Sequence, residues 1–437
     1  MAIAPTSTAA ARGASDAPQG PAQLQYFVFA LFFIFGGITS LNDVILPKLK
    51  ELFVLNYAQA MLINTAFFFA YFVFSLPGAA VVRKLGYMRA AVVGLVTMML
   101  GCVLFIPASY SGQFPIFLGA LFVLAAGITI VQVVANPLIS LLGPAKSAHS
   151  RLTFAQAFNS IGTTVFPIVG SMVILGAIAK VDMATLSPEA LAQYRAQETQ
   201  VIVRSYLFLA AAIGVIALAV WAFRKRLTET PDEPGGLLRP FGLLKRPRFA
   251  FGALCIFLYV GAEVAIGSII VNFLELSDVM GIDQKAAGDH IKYYWGGAMV
   301  GRLIGAAVLR VVSPGKVLAG VAVGNLVLLT AAGTLTGPIS GWALLAIGLC
   351  NSIMFPTIFA LASEGLGKRA ADGSGVIATA IVGGAIVPLI MGASADAAGL
   401  KLSLVVPAVC YAVIAAYGVY ARKSHVDATE EPPVEAH

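Results

Sequence analysis

The sequence predicts an all-α integral membrane protein with twelve transmembrane helices in two parallel six-helix halves. Composition, the number of apolar runs and an internal repeat predict this fold class. Of the 437 residues, 59% are hydrophobic and only 11% are charged, whereas about 25% of the residues of a typical soluble domain are charged. A soluble core could not bury so much apolar surface. The composition therefore excludes an ordinary cytoplasmic enzyme and makes lipid the solvent for most of the chain.

Twelve apolar runs are long enough to be membrane helices. A transmembrane helix needs about 20 mostly apolar residues, and short polar joints separate most of the runs. The predicted spans are Tyr26–Leu46, Ala58–Val82, Ala90–Pro107, Phe114–Leu142, Leu152–Gly176, Val203–Phe223, Phe249–Leu274, Tyr293–Val312, Val317–Thr336, Trp342–Ser363, Ser374–Ser394 and Leu402–Tyr420.

The polar segments divide the chain into five parts. Residues 1–24 and 422–437 are predicted to be disordered tails, and residues 224–246 are predicted to link a bundle at 25–223 to a second bundle at 247–421. An even number of spans places both tails on one side of the membrane. Because the loops on that side carry most of the Lys and Arg residues, the positive-inside rule makes the tails and the linker cytoplasmic. These loops also account for most of the net charge of +7, so no nucleic-acid partner is expected.

The two bundles repeat one another. Three short matches recur at spacings between 219 and 227 residues. Six spans separate the members of each match, and because six is even, the halves have the same orientation, as in transporters built from parallel repeats. This layout places a cavity between the halves near the bilayer midplane. The matches are Gly-Ala-Ala-Val-Val-Arg ending at Arg83 with Gly-Ala-Ala-Val-Leu-Arg ending at Arg310, a helix break predicted at Pro137 with one at Pro356, and Gly162 and Pro167 with Gly383 and Pro388.

Two acidic side chains lie clearly within spans, Asp43 in the first and Glu263 in the seventh. Charged groups in hydrocarbon are costly, so each must face a cavity or a partner. Burial favours the protonated form of a carboxyl, and a polar ligand or a counter-charge reverses that preference. Asp43 and Glu263 are therefore candidate proton carriers.

Amide side chains also cluster within spans, chiefly in spans four and five. Gln132 and Asn136 are four residues apart and Gln156 and Asn159 are three apart, so each pair shares one face of its helix. Groups that both donate and accept hydrogen bonds suit a polyhydroxylated ligand. The predicted substrate-binding residues are Asn42, Gln132, Asn136, Gln156, Asn159, Glu263, Asn272, Trp295 and Asn351, with Phe68, Phe158, Tyr294 and Phe355 as further aromatic candidates. Arg302 in span eight is predicted to pair near the cytoplasmic gate.

The sequence contains no motif typical of a metal site, a redox site, an ATP-driven pump or a channel. The four cysteines lie far apart in apolar runs and the four histidines are scattered, so no metal site, redox motif or cofactor is expected. The chain has no Gly-x4-Gly-Lys-Ser/Thr phosphate loop, which argues against an ATP-driven pump. No gating-charge helix or repeated filter motif indicates a channel.

Five ordered strings resemble the fucose–proton symporter family of the major facilitator superfamily, and the likeness extends from about residue 27 to residue 420. They are Leu41–Pro47 (LNDVILP), Ala135–Pro137 (ANP), Leu152–Ser160 (LTFAQAFNS), Tyr259–Glu263 (YVGAE) and Phe355–Phe359 (FPTIF). The resemblance implies the major facilitator fold and proton-coupled sugar uptake across a bacterial inner membrane. Gly-Ala-Glu in span seven looks like the glucose/galactose branch, which includes N-acetylglucosamine carriers. Asp43 matches an acid of the fucose carriers, whereas Gln132 stands where they have a second acid.

The resulting hypothesis is a symporter that works by alternating access. Because Gln132 cannot titrate, we expect a one-acid coupling path through Asp43, with Glu263 mainly a sugar ligand. The hexose is expected to bind between Gln132, Gln156 and Asn159 of one half and Glu263, Asn272 and Asn351 of the other. The expected partners are a sugar, a proton and membrane lipid, and the expected oligomeric state is a monomer. The alternatives are a sodium-coupled or uncoupled sugar carrier, a drug or metabolite exporter, and a membrane sensor that binds sugar without moving it.

Overall fold

Fifteen α-helices occupy the described part of the chain, which in the computed structural model comprises residues 23–52, 57–111, 113–144, 147–170, 187–224 and 236–422. Side chains at positions 41–52, 57–65, 167–170 and most of 188–202 lie outside that description. The helices are α1 (Gln23–Leu52), α2 (Tyr57–Leu85), α3 (Tyr87–Ser111), α4 (Phe114–Leu141), α5 (Ala148–Gly170), α6 (Pro188–Phe223), α7 (Pro247–Glu275), α8 (Gln284–Val308), α9 (Pro314–Thr334), α10 (Pro338–Asn351), α11 (Met354–Ser363), α12 (Ala370–Ala380), α13 (Gly383–Ala398), α14 (Leu400–Ser403) and α15 (Val405–Tyr420).

These helices build the twelve predicted spans. Each of α1–α9 forms one span, whereas spans ten, eleven and twelve each consist of two consecutive helices. Within the described residues, nine spans are long and apolar enough to cross a membrane on their own. Neither α5 nor α8 is among the nine, and these two helices carry Gln156, Asn159 and Arg302. The predicted all-α fold with twelve spans in two halves is confirmed.

Two helices begin much earlier than the apolar runs predicted, by more than two helical turns. Helix α6 starts at Pro188 rather than Val203, and α8 starts at Gln284 rather than Tyr293. Hydropathy marks only the apolar part of a helix, whereas backbone hydrogen bonding continues into polar turns beyond it. In α6, proline at the first position favours such a start, because its missing N–H has no helical partner there in any case.

The two predicted proline breaks differ. Helix α4 continues through Pro137, but span ten is interrupted at residues 352–353, just before Pro356. Pro356 has no N–H to donate to the carbonyl of Ser352. In the second half, side chains of α7 and α8 donate to the carbonyls at this interruption, which stabilises the open backbone. The prediction of a break was therefore wrong for Pro137 and is confirmed for Pro356.

Helix packing follows the repeat. Helix α1 packs on α5 and α3 packs on α6, while α7 packs on α13 and α9 packs on α15 in the second half. Gly162 of α5 lies against the carbonyl of Phe33 in α1, and Gly383 of α13 lies against the carbonyl of Phe257 in α7. The glycines matched in the sequence therefore occupy equivalent close crossings, where any side chain would meet backbone.

Replacing Gly383 with leucine should disrupt the α7–α13 crossing. A Cβ at this position would collide with the Phe257 carbonyl, and overpacking of this kind typically costs about 1–3 kcal/mol. Thermal unfolding in detergent should show the loss. Gly320→Leu is the matched control, because no atom lies within 4 Å of a Cβ at that exposed helical position. Equal stability of the two variants would contradict the predicted close approach.

The two halves meet where α2 packs against α12 and where α5 packs against α8 and α11. We call these contacts the closed seam. Arg83 ends α2 and Arg151 lies in the first turn of α5, so the seam lies at helix ends that the sequence predicts to be cytoplasmic. Part of the predicted linker is also helical, since Arg239–Lys245 forms a 3-10 helix with Leu243 fully buried.

Candidate substrate and proton site

An amide cluster lies between α4 and α5. Gln156 Nε2 donates to Asn136 Oδ1 at 3.4 Å, and both residues are buried. Gln132 lies one turn before Asn136 on α4, and its Oε1 is buried without a hydrogen-bond partner in the described structure. Asn159 Nδ2 donates to the carbonyl of Phe32 in α1 at 3.4 Å. The structure therefore brings Asn136 and Gln156 together, and Gln132 keeps unused hydrogen-bonding capacity.

Glu263 lies on α7 and is half-buried. The hydroxyl of Tyr259, one turn earlier, is 2.7 Å from Glu263 Oε1 and 3.1 Å from the carbonyl oxygen of Asn351. Among the described residues, no cation forms an ion pair with Glu263. A neutral hydroxyl rather than a fixed charge therefore holds this carboxylate.

Asn351 is the centre of a buried polar cluster. Its side chain is fully buried. Oδ1 accepts from Asn325 Nδ2 at 2.7 Å and from the Tyr411 hydroxyl at 2.8 Å, while Nδ2 donates to the Tyr294 hydroxyl at 2.9 Å. These bonds use three of the four hydrogen-bonding positions of the amide. Asn351 thus joins α8, α9 and α15 to the last turn of α10, and its direct contact with a sugar stays a prediction.

Arg302 of α8 reaches across to the other half. Its Nε donates to the Ser352 carbonyl at 3.2 Å, and its Nη1 donates to the Gln156 carbonyl at 3.3 Å and to the Ser160 hydroxyl. Arg302 was predicted to pair near the cytoplasmic gate, and it does lie at the contact between the halves. Its described partners are neutral oxygens, not a carboxylate.

A buried ion-pair cluster joins α2 to α12. Asp372, in the first turn of α12, has no exposed side-chain surface and contacts Arg83 of α2. Arg369 and Arg239 approach the other carboxylate oxygen to 3.4 and 3.8 Å. The helix N-terminus adds favourable partial positive charge. This cluster therefore binds the first half to the second by charge.

The repeat places a hydrogen bond between an arginine and a hydroxyl, not an ion pair, at the equivalent position. Arg310 ends the same motif as Arg83, and its Nε donates to the hydroxyl of Ser150 in α5 at 3.3 Å. Ser150 itself donates to the Ala306 carbonyl at 2.7 Å. Beside this contact, His149 lies 3.1 Å from Glu364, which also binds Arg248. The contact of α2 with α12 in the closed seam is thus an ion-pair cluster. The contacts of α5 with α8 and α11 are mixed hydrogen bonds.

The remaining predicted residues lie apart from these clusters or outside the description. The side chains of Asn42 and Asp43 fall outside the described part of α1. Asn272 is exposed near the end of α7. Trp295 is half-exposed, with its ring edge-on to Tyr294 at a centroid distance of 5.1 Å.

Comparison with known proteins places this arrangement in a family. Residues 28–388 match the family described as Major Facilitator Superfamily. The chain belongs to the major facilitator superfamily. It is 49% identical over 395 residues to the glucose/galactose transporter of Brucella abortus, covering 90% of this chain and 93% of the relative. It is 32% identical over 397 residues to the L-fucose-proton symporter of Escherichia coli, covering 88% and 90%.

A solved major facilitator structure has the same architecture. The crystal structure of the transporter FucP in the outward conformation matches with a TM-score of 0.84 and 29% identity, over 92% of this chain and 99% of that chain. The expected family resemblance is therefore confirmed.

Sequence reasoning missed two groups of this major facilitator protein. Asp372 lies two residues before the start of the predicted span eleven, so it was not recognised as an intramembrane acid. Its isolation in the run Ala370-Ala371-Asp372-Gly373 was the available signal. Tyr259 was noticed only as part of a family string, because an aromatic residue in a span more often packs than binds.

Proposed function

We propose that this major facilitator protein imports a glucose- or galactose-like hexose together with a proton across a bacterial inner membrane. The observation that carries the proposal is the position of Arg302, which bonds to carbonyls of Gln156 in one half and Ser352 in the other. It places the amide cluster and the Glu263–Tyr259 pair on the two sides of one contact between the halves. Relatives named as a glucose/galactose transporter and an L-fucose-proton symporter support the substrate class and the coupling ion.

Sugar recognition is assigned to the amides and to Glu263. Amide groups donate and accept hydrogen bonds, so Gln132, Asn136, Gln156 and Asn159 suit adjacent hydroxyls of a sugar ring. The unpartnered Oε1 of Gln132 supports this role, because a buried acceptor without a partner costs free energy that a ligand hydroxyl relieves. Asn272 and Trp295 complete the proposed contacts from the second half.

Proton coupling is assigned to Glu263 and Asp43. Glu263 has a neutral hydrogen-bond donor and no ion-pair partner in the described structure, so uptake of a proton removes a charge without breaking a salt bridge. A neutral carboxyl is less costly to enclose when the cavity closes and loses water. This arrangement gives Glu263 a larger coupling role than the sequence alone predicted.

The closed seam is assigned to the cytoplasmic side, with the cavity open to the periplasm. Three features support the orientation: the basic helix ends at the seam, the positive-inside rule, and the likeness to a structure in an outward conformation. Both termini and the linker are then cytoplasmic. We propose a monomer embedded in lipid as the transporting unit.

Replacing the coupling acids should separate sugar exchange from sugar accumulation. Glu263→Gln and Asp43→Asn should each abolish accumulation driven by an imposed pH gradient, because neither variant carries a proton at that position. Exchange of labelled for unlabelled sugar should persist. The measurement is uptake of radiolabelled D-glucose and D-galactose by proteoliposomes in sodium-free buffer, with and without a proton uncoupler.

Glu275→Gln is the matched control, because this half-buried acid lies at the end of the same helix. It should accumulate sugar like the unmodified protein. Accumulation that needs sodium, or that never exceeds equilibration, would replace proton coupling with the sodium-coupled or uncoupled alternative. Binding without flux would indicate a sensor, and net export would indicate an exporter. Continued accumulation by either acid variant would contradict the coupling role assigned to that acid.

A further inference from the structure

The Tyr259 hydroxyl faces two acceptors but has one hydrogen. It lies 2.7 Å from Glu263 Oε1 and 3.1 Å from the carbonyl oxygen of Asn351. Tyr259 is itself almost fully buried, so the hydroxyl cannot turn to water instead. The protonation state of Glu263 decides which acceptor receives the hydrogen, because an ionised carboxylate only accepts hydrogen bonds and a protonated carboxyl can also donate one.

We infer that Tyr259 is a positioning residue that transmits the protonation of Glu263 to the helix interruption in span ten. This inference rests on the proposed proton coupling by Glu263. When Glu263 is ionised, Tyr259 donates to it. When a proton from the periplasm binds Glu263, the carboxyl donates to the Tyr259 oxygen, and the Tyr259 hydrogen turns to the Asn351 carbonyl. The proton leaves Glu263 for cytoplasmic water after the cavity changes sides, and the first arrangement returns.

The carbonyl of Asn351, which accepts the Tyr259 hydrogen in the second arrangement, lies at the only place in span ten where the described helix is interrupted. Helix α10 ends at Asn351 and α11 begins at Met354. Charged and neutral acceptors differ in hydrogen-bond strength by roughly twofold, so moving one hydrogen between them changes how strongly the end of α10 is held to α7.

This interruption is also connected to the opposite half. The next carbonyl, at Ser352, accepts from Arg302, and Arg302 also binds Gln156 and Ser160 of α5. A change at residues 351–353 therefore acts on a side chain that crosses the contact between the halves. The path from Glu263 to α5 consists of Tyr259, two neighbouring carbonyls and Arg302.

The charged and titratable groups that face Glu263 come from three helices. Tyr259 comes from α7 itself, Arg302 and Tyr294 from α8, and Tyr411 from α15. Tyr294 and Tyr411 both bond to the Asn351 side chain, and Arg302 bonds to carbonyls. Tyr259 is the group among these four that contacts both Glu263 and the Asn351 backbone.

Tyr259→Phe tests the inference in the full-length protein in proteoliposomes. We expect it to lose pH-gradient-driven accumulation of D-glucose and D-galactose. Its sugar exchange at equal pH should fall by no more than about tenfold, which the loss of one hydrogen bond accounts for. The rate of exchange as a function of pH should become flatter than in the unmodified protein. The control is Tyr417→Phe, which removes a buried hydroxyl without a hydrogen-bond partner in the described structure and should leave accumulation and the pH profile unchanged.

Glu263→Gln separates this inference from the proposed function. If Glu263→Gln accumulates sugar, the coupling assignment is wrong and the inference falls with it. If Glu263→Gln is uncoupled but Tyr259→Phe accumulates sugar normally, the inference alone is overturned. Equal loss of exchange and accumulation in Tyr259→Phe would show a purely structural tyrosine and would also overturn it. A double variant guards against poor folding. When Tyr259→Phe is added to Glu263→Gln, the rate of sugar exchange as a function of pH should show no further change.

Discussion

Replacing Asp372 with alanine should open the closed seam. Arg83 would keep its charge in a position where only 4% of its side chain is exposed, with its partner carboxylate removed. Arg369 and Arg239, which lie 3.4 and 3.8 Å from the same carboxylate in the unmodified protein, would lose this counter-charge as well. Breaking a buried ion pair by removing one partner costs about 3–5 kcal/mol. Since Arg83 and Asp372 belong to different halves, this cost falls on the state in which the seam is closed.

The rate at which a cysteine introduced at position 153 reacts with a maleimide measures how far the closed seam opens. Thr153 of α5 is fully buried near Gly305 of α8, and its hydroxyl has no described partner, so Thr153→Cys breaks no described hydrogen bond. Cys350 is partly buried and is replaced by serine in the background. In inside-out vesicles, a membrane-impermeant maleimide should label the Asp372→Ala protein much faster than the protein with Asp372.

Two variants serve as controls for this prediction. Ser150→Ala removes the equivalent contact with Arg310 in the repeat, and its effect should be smaller, because a hydrogen bond to a charged group contributes only about 1.5–3 kcal/mol. Arg83→Met combined with Asp372→Asn should label more slowly than Asp372→Ala, because no uncompensated charge remains on α2. Unchanged labelling of Asp372→Ala would show that the ion pair does not hold the seam closed.

Replacing Asn351 with leucine should destabilise the second half. The substitution leaves Asn325 Nδ2 and the hydroxyls of Tyr294 and Tyr411 without their partner in a fully buried site. Each unsatisfied buried polar group costs about 1–3 kcal/mol. Three such groups approach the whole stability of a typical domain, so we expect a large fall in thermal stability in detergent and a low yield of folded protein.

Asn325→Leu provides the graded comparison. It removes one bond to Asn351 but leaves Oδ1 of Asn351 bonded to Tyr411. It also removes the Asn325 Oδ1, which is buried without a described partner. This variant should therefore unfold at a temperature between those of the unmodified protein and Asn351→Leu. If Asn351→Leu were as stable as the unmodified protein, the amide would not be the structural centre of this cluster.

Much of the candidate site was visible in the sequence, because polar side chains are conspicuous in apolar spans. Gln156 and Glu263 were selected in this way, and the structure gives both polar contacts within the spans. Asp372 was missed because the hydropathy signal begins after it, while its burial depends on α2, 289 residues away in sequence. The side-chain partners of Asn351 come from three other helices, so its position in the sequence does not reveal them.

By itself, the sequence determined that lipid surrounds most of the chain, that the chain has twelve spans and that its halves are parallel repeats. Each of these depends on composition and spacing along the chain. The matched glycines even marked the close helix crossings, where only a residue without a side chain fits. The tertiary structure alone decided which polar groups meet. Tyr259 and Asn351 are 92 residues apart, and Arg302 and Gln156 are 146 apart. Hydrogen bonds act over about 3 Å, so the first pairing exists only once helices pack within the second half, and the second only once the two halves meet.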